Sequence, residues 1–368
     1  MNDHDYMRLA LDLAEKGCGL VSPNPMVGAV IVKGNKIIGK GWHEKFGGLH
    51  AERNALQSCT ESPKGATMYV TLEPCCHYGK QPPCVEAIIA SGIRRVVIGS
   101  PDPNPLVCGK GVQQLREHSV LVTEHILQES CDRMNEVFFS YIQTKKPFVV
   151  MKYAMTMDGK IAAYTGASQW ITGETARNHV QEQRRKFTAI MVGVGTILAD
   201  DPLLTCRIPD SKNPIRIICD TTLRTPFHAK VVSTAKETPT ILATCCTDRD
   251  KCKLYENAGC RIILTDQKDH RIDLEQLMIK LGQEQIDSIF LEGGGTLNWS
   301  ALKSGIVQKT QAYVAPKIFG GETAKTPVEG IGVASPAGAF RLKNSTVTML
   351  GEDFLIESEV EYCVHGNH

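Results

Sequence analysis

At 368 residues the chain exceeds one ordinary domain, and its length predicts two separately buried cores. Its 41 lysines and arginines against 40 acids give a formal charge of +1, so it lacks the positive excess that a nucleic-acid partner needs and points to a small molecule. Met1 to Tyr6 is acidic and has no apolar core, and the apolar run Val27 to Val32 is far too short to span a bilayer; no export signal or membrane partner is expected, and the cytoplasm is.

Tyr6 to Lys16 has the spacing of an amphipathic helix. Met26 to Val32 and Lys36 to Gly41 read as strands around a Gly34-Asn35 turn, and His50 to Gln57 returns to helical spacing. Ala66 to Leu72 reads as a buried strand. A helix from Cys84 to Ser91, a strand Arg95 to Gly99, a helix Val112 to His118, a strand Val120 to Thr123 and one continuous helix from Glu129 to Gln143 follow. Strands linked by helices favour a sheet with parallel components, hence a three-layer α/β sandwich. Thr144-Lys145-Lys146-Pro147 marks a boundary, which puts domains at 1–145 and 146–368.

Within the first half, His50-Ala51-Glu52, Pro74-Cys75 and Cys84 supply three donors suited to zinc and a carboxylate that need not be one. Three protein ligands leave the fourth position of a tetrahedral site for water, as catalytic zinc requires, and zinc makes such a water nucleophilic near neutral pH. A glutamate beside it can carry the proton to a departing amine, which is the order of parts in nucleobase deaminases and assigns catalysis to Glu52. The usual closing motif is Pro-Cys-x-x-Cys, whereas eight residues separate Cys75 from Cys84. Gly79 and Pro82-Pro83 shape that loop, and Cys84 opens a helix whose N-terminus favours thiolate. Cys76 and His77 also have ligand chemistry, which leaves a structural zinc knot as the alternative; His77 is expected to face substrate. The other 11 of the 14 cysteines, set apart from Cys75, Cys76 and Cys84, read as reduced apolar residues.

In the second half, strand patterns fall at Phe148 to Ala154, Ala189 to Val192, Ile215 to Cys219, Thr240 to Thr244, Arg261 to Leu264, Ser288 to Leu291 and Gln311 to Ala315. Thr346 to Leu350 and Phe354 to Val360 read as a closing hairpin. Glu292-Gly293-Gly294-Gly295 is either an ordinary tight turn or a phosphate cradle at a helix start. The Rossmann fingerprint is absent, because Gly193-Val194-Gly195 lacks its third glycine.

Both halves together resemble the bifunctional pyrimidine deaminase and uracil reductase family of riboflavin biosynthesis. The resemblance rests on Pro23-Asn24-Pro25-Met26-Val27-Gly28, His50-Ala51-Glu52 and Thr71-Leu72-Glu73-Pro74-Cys75-Cys76-His77 through Cys84. It continues in Met151-Lys152-Tyr153-Ala154 through Ala162, Ser168-Gln169-Trp170-Ile171-Thr172, Val194-Gly195-Thr196 through Thr205, and Glu292-Gly293-Gly294-Gly295. The long cysteine gap is normal in that family. The resemblance implies a cytidine deaminase-like domain, then a dihydrofolate reductase-like α/β domain that binds NADPH, with a phosphoribosyl pyrimidine as substrate and a homo-oligomeric assembly. It implies substrate contacts at Asn24, His43, His77 and Lys80 in the first domain and at Ser168, Arg184, Leu204, Arg207 and Glu292 in the second. NADPH contacts are implied at Ala154, Trp170, Thr196, Asp200, Thr221 and Gly294, Gly295 and Thr296. Two arginines and a serine suit a ribose phosphate, since guanidinium binds phosphate oxygens in charge-assisted pairs; the alternative for Arg184 is a solvated helix face. Lys152 and Asp200 suit substrate and nicotinamide positioning or a structural ion pair. Gln308-Lys309 stands where the family tends to carry an acidic pair, which predicts altered surface pairing only. Two other readings remain open: a nucleic-acid deaminase with an RNA-gripping second domain, disfavoured by 6% aromatic content and near-neutral charge, and a non-enzymatic zinc-stabilised nucleotide sensor.

Overall fold

A computed structural model describes residues 1–78, 81–104 and 107–362. The chain divides into two compact units, Met1–Lys145 and Lys146–His368. The first opens with α1 (Asp3–Glu15), then β1 (Gly28–Lys33), β2 (Lys36–Trp42), α2 (Ala51–Gln57), β3 (Thr67–Leu72), α3 (Cys84–Ala90) and β4 (Arg95–Ser100). It ends with α4 (Lys110–Glu117), β5 (Leu121–Thr123), α5 (Gln128–Met134) and α6 (Glu136–Thr144). Asn2 starts α1 through a reciprocal capping box with Asp5, which satisfies two backbone donors at 3.0 Å each.

The five strands lie in the order β2-β1-β3-β4-β5, antiparallel across β2-β1-β3 and parallel across β3-β4-β5. Alternate residues of β1 face opposite layers: Ala29 and Ile31 pack with α2, α3, α4 and α6, while Val30 and Val32 pack with α1 and Cys131 of α5. This is the expected three-layer sandwich. Helix α2 lies very close to β2 because Gly41 has no side chain there; a Cβ would stand 2.2 Å from the Ala55 amide nitrogen. That approach sets the depth of His50 and Glu52 at the start of α2.

The single helix expected over Glu129 to Gln143 is instead two, broken at Asn135. The buried Asn135 side chain accepts from the Met26 amide at 2.8 Å and donates to the Met26 carbonyl at 2.9 Å. Its φ of −108° and ψ of 18° leave the helical region to make that pairing. Residues 128–144 are thereby clasped to the segment that carries Asn24.

The second unit contains β6 (Phe148–Thr156), α7 (Glu174–Lys186), β7 (Ala189–Gly193), α8 (Val194–Asp200), β8 (Ile215–Cys219), α9 (Lys230–Ser233), β9 (Thr240–Thr244), α10 (Arg249–Asn257) and β10 (Arg261–Leu264). It continues through β11 (Gln267–Lys268), β12 (Arg271–Ile272), α11 (Leu274–Gln283), β13 (Ser288–Leu291), α12 (Gly295–Lys303), β14 (Lys309–Ala315), β15 (Arg341–Leu350) and β16 (Asp353–Glu361). Its main sheet runs β10-β9-β8-β7-β13-β6-β14-β16-β15, parallel from β10 to β14 and antiparallel through the closing hairpin. Met191 faces the layer of α11 and α12, and Ile190 faces that of α9 and α10, so β7 is buried on both sides. From β6 the chain crosses first to β7, and β13 later fills the gap between them. Such a reversal opens a crevice at the carboxyl ends of parallel strands. The small β11-β12 hairpin has no counterpart in the sequence reading, because two-residue strands carry too little periodicity to detect.

Candidate active sites

At the mouth of the first unit, His50 is the N-cap of α2, Cys84 the first residue of α3, and Cys75 lies in the stretch after β3. His50 Nδ1 is 3.5 Å from each sulfur, and the three donor atoms all lie within 4.8 Å of one another. Two thiols and one imidazole at this separation fit a zinc ion with one position to spare. Neither Cys76 nor His77 joins the group among the described residues, which counts against the structural knot. The Cys84 thiol and backbone amide both donate to Cys75, and the His50 ring adds to them; against the cost of burial they hold the Cys75 thiol down to about 4. Cys84 is pushed up in return.

Glu52 is buried, 3% exposed, and its pKa rises to about 7 because burial, then the Cys75 thiolate, disfavours its charge, with His50 opposing. A carboxyl poised there takes and returns a proton near neutral pH. Arg53 donates to the carbonyls of Pro82 at 3.3 Å and Pro83 at 3.0 Å, tying the loop before Cys84 to α2.

His43 packs edge-on to His50 with ring centroids 5.5 Å apart. Its Nδ1 meets the Leu49 carbonyl at 2.9 Å and its Nε2 meets Asn24 Nδ2 at 3.1 Å. Those partners require Nδ1 to donate and Nε2 to accept, a neutral ring, and burial lowers its pKa in agreement. His77 is half-buried with Nδ1 lacking a hydrogen-bond partner, available to a ligand. Lys80 lies outside the described residues.

Glu73 drew no attention in the sequence. Its buried carboxylate accepts backbone N–H bonds from Asp102 (3.4 Å), Gly109 (3.0 Å), Gly111 (3.0 Å) and Val112 (3.2 Å), joining the start of α4 to the residue two places before Cys75. An acid ahead of Pro74-Cys75 was visible as a letter, but its donors are backbone groups that no side-chain pattern reveals.

In the second unit a cleft of about 460 Å³ opens where β7, β8 and β13 end. Thr196, Asp200, Thr221, Gly294, Gly295 and Thr296 all line it, as does Ser168. Ala154 and Trp170 do not; Trp170 is 58% exposed, with the Arg177 guanidinium 4.9 Å from its ring centre. Gly294 is the N-cap of α12 and offers no side-chain cap, and Gly294, Gly295 and Thr296 line the cleft, so the first amides of the helix suit the diphosphate of a dinucleotide.

Arg184 is no solvated helix residue. It donates from Nε and Nη2 to the Glu292 carboxylate at 2.7 and 3.1 Å and from Nη1 to the Thr205 carbonyl at 3.0 Å, while Lys152 Nζ stands 3.5 Å from Glu292. Burial alone would raise the Glu292 pKa, but Arg184 and then Lys152 overcome it and hold it at about 2. Leu204 is buried with φ at +53°, and Arg207 is exposed. Asp200 makes no ion pair with Lys152; it lies at the exposed end of α8 in the cleft wall.

Residues 1–100 match the cytidine and deoxycytidylate deaminase zinc-binding region, and residues 147–356 match the RibD C-terminal domain. The riboflavin biosynthesis protein RibD of Actinobacillus pleuropneumoniae is 52% identical over 97% of this chain and 95% of its own length. The chain belongs to the RibD family. RibD of Aquifex aeolicus is 42% identical over 96% of this chain and 97% of its own. Among solved structures, RibD of Acinetobacter baumannii superimposes with a TM-score of 0.88 at 34% identity, covering 98% of this chain and 99% of that one. A Thermotoga maritima diaminohydroxyphosphoribosylaminopyrimidine deaminase/5-amino-6-(5-phosphoribosylamino)uracil reductase does so at 0.85 and 36%, with the same coverage. As a RibD protein the chain is an enzyme of riboflavin biosynthesis, with a zinc-binding deaminase domain and an NADPH-using reductase domain of the dihydrofolate reductase-like α/β class. The RNA-gripping deaminase and the zinc-stabilised sensor find no support in these matches. No described helix is long and apolar enough to cross a membrane.

Proposed function

We propose that residues 1–145 deaminate 2,5-diamino-6-(5-phosphoribosylamino)pyrimidin-4-one and that residues 146–368 reduce the resulting 5-amino-6-(5-phosphoribosylamino)uracil to its ribityl form. The observation that carries the reading is the convergence of His50, Cys75 and Cys84 beside a buried glutamate. Held by those three residues, zinc supplies the Lewis acidity that makes water nucleophilic at neutral pH. Glu52 takes the proton of the attacking water and hands it to the amine leaving C2, a transfer suited to a pKa of about 7. The Asn24–His43 pair, with His77 and Lys80, holds the pyrimidine and its phosphoribosyl tail. His43 enters this role as a neutral ring, fixed by Leu49 and Asn24.

NADPH supplies hydride to C1 of the open-chain ribosyl group. Gly294, Gly295 and Thr296 would cradle its diphosphate, and Thr196, Asp200 and Thr221, which line the same cleft, would complete its contacts there; Ala154 and Trp170 lie outside that lining. Ser168 and Arg207 meet the substrate phosphate, with Leu204 beside them. Lys152, Arg184 and Glu292 form a preformed charged wall at the strand ends, which orients substrate without rearranging during the reaction.

The assembly is a homo-oligomer in this reading, supported by β15, which forms the outer edge of its sheet and is exposed along nearly its whole length. The cytoplasm and a partner set without nucleic acid belong to the same reading, and a formal charge of +1 accords with the second. To test the function, the diaminopyrimidine phosphate is supplied with and without NADPH while ammonia and NADPH absorbance are followed separately. Ammonia should appear in both arms and NADPH oxidation only after it. No ammonia from zinc-loaded protein would sink the reading.

A further inference from the structure

The cleft of the second unit is lined by two arginines that no role assigned above uses. Arg224, in the turn after β8, and Arg271, on β12, both line it with exposed side chains, and neither makes an ion pair among the described residues. Of the acids in the cleft wall, Glu329 accepts the Thr296 hydroxyl at 3.2 Å beside the glycine turn, and Asp200 ends α8.

Sheet order gives the cleft a direction. The charged wall of Lys152 and Glu292 stands at β6 and β13, so the reacting end of a dinucleotide lies there. Its diphosphate falls at the start of α12, and its adenosine must then reach across β7 toward β8. Strands sit about 4.8 Å apart, so β8 is three steps, roughly 14 Å, from β6. Arg224, in the turn after β8, lies at that far end, and Arg271 lines the same cleft.

The turn that carries Arg224 is rigidly held. Asp220, fully buried at the end of β8, accepts from the Thr225 amide at 2.6 Å and the Thr225 hydroxyl at 2.8 Å. The Tyr255 hydroxyl donates to the Thr225 carbonyl at 2.6 Å, and Lys251 Nζ to the Thr222 carbonyl at 2.9 Å. Arg271 is fixed by its buried neighbour Ile272 and by Asp273, whose side chain caps α11. Two guanidinium groups on pinned backbones, lining the cleft without an ion-pair partner among the described residues, are pre-organised for a phosphate.

We propose that Arg224 and Arg271 select the phosphorylated dinucleotide by binding the 2′-phosphate of its adenosine. This rests on the reading of the cleft as the NADPH site and adds the residues that tell NADPH from NADH. Charge-assisted bonds to phosphate are strong enough that losing one arginine should weaken a 2′-phosphate ligand about tenfold.

The test uses the full-length protein and calorimetric titration with adenosine 2′,5′-bisphosphate and with adenosine 5′-monophosphate. Wild type should favour the bisphosphate by about a hundredfold; Arg224→Ala and Arg271→Ala should each remove about a factor of ten from that ligand alone, and the double variant should bind both alike. Arg224→Lys should retain part of the preference, because one point charge replaces a fork. In steady state the KM for NADPH should rise while that for NADH stays within about twofold. Unchanged bisphosphate affinity in both variants overturns the proposal, and so does an equal loss of both ligands with Tm preserved. A wild-type protein that binds neither nucleotide refutes the cofactor site itself, a different outcome from loss of discrimination.

Discussion

The two candidate sites are built by opposite means. In the first unit chemistry resides in side chains crowded within a few ångströms: two thiols, an imidazole and a buried carboxyl, each tuned by the others. In the second unit the cleft is mostly turns and helix starts; Arg224 and Arg271 line it without an ion-pair partner among the described residues, while Lys152 and Arg184, outside its lining, share the Glu292 carboxylate. A site that must move protons needs perturbed groups of its own. A site that lends its chemistry to a carried cofactor needs shape and fixed charge.

That contrast can be broken most sharply at Glu52. Glu52→Ala should lower ammonia release by about 10²–10⁴-fold, while the same protein still oxidises NADPH when supplied with the aminouracil phosphate. Loss of both activities with folding intact would mean that the two sites do not act independently. Next comes Glu292→Gln, which leaves Arg184 and Lys152 without their carboxylate in a largely buried place. Breaking such a cluster costs about 3–5 kcal/mol, read as a lowered urea midpoint of the second unit, with zinc content unchanged.

The same cluster has a pH signature. The Glu292 pKa in the fold, about 2, lies below its ordinary 4.5, so the folded state binds fewer protons than the unfolded one between those values. Its stabilisation is complete above 4.5 and is lost as pH falls from there toward 2. Denaturant midpoints of wild type should therefore drop over that window more steeply than those of Glu292→Gln; parallel curves would show that the pair is not coupled to folding. The smallest effect is expected from Glu73→Gln. The amide offers one acceptor in place of two and points its own N–H groups at backbone donors, which should cost about 1–3 kcal/mol and weaken zinc retention against a chelator. Unaltered zinc affinity would confine Glu73 to simple helix capping.

The same opposition decides how much could be read from the sequence. The metal cluster was legible because its donors are rare residue types, two of them opening helices whose patterns are visible. Strands β8, β9, β10 and β13 fell at the residues expected because each is a short apolar run closed by polar residues. The break between α5 and α6 was hidden, because it depends on Asn135 meeting the backbone of Met26, 109 positions away. The engagement of Arg184 was hidden for the same reason: Arg185 and Lys186 beside it suggest a wet helix end, and its partner Glu292 is 108 positions off. In both cases a polar side chain gives up its local preference for a distant partner, which propensity cannot register.

The clasp between Asn135 and Met26 also bears on where this chain can be cut. A fragment ending with α5 would retain every candidate zinc ligand and still leave the Met26 amide and carbonyl unpaired, two residues from Asn24. A fragment that keeps the substrate side of the candidate metal cluster in shape must therefore reach at least Asn135, the N-cap of α6, a residue that supports the candidate site although it does none of its chemistry.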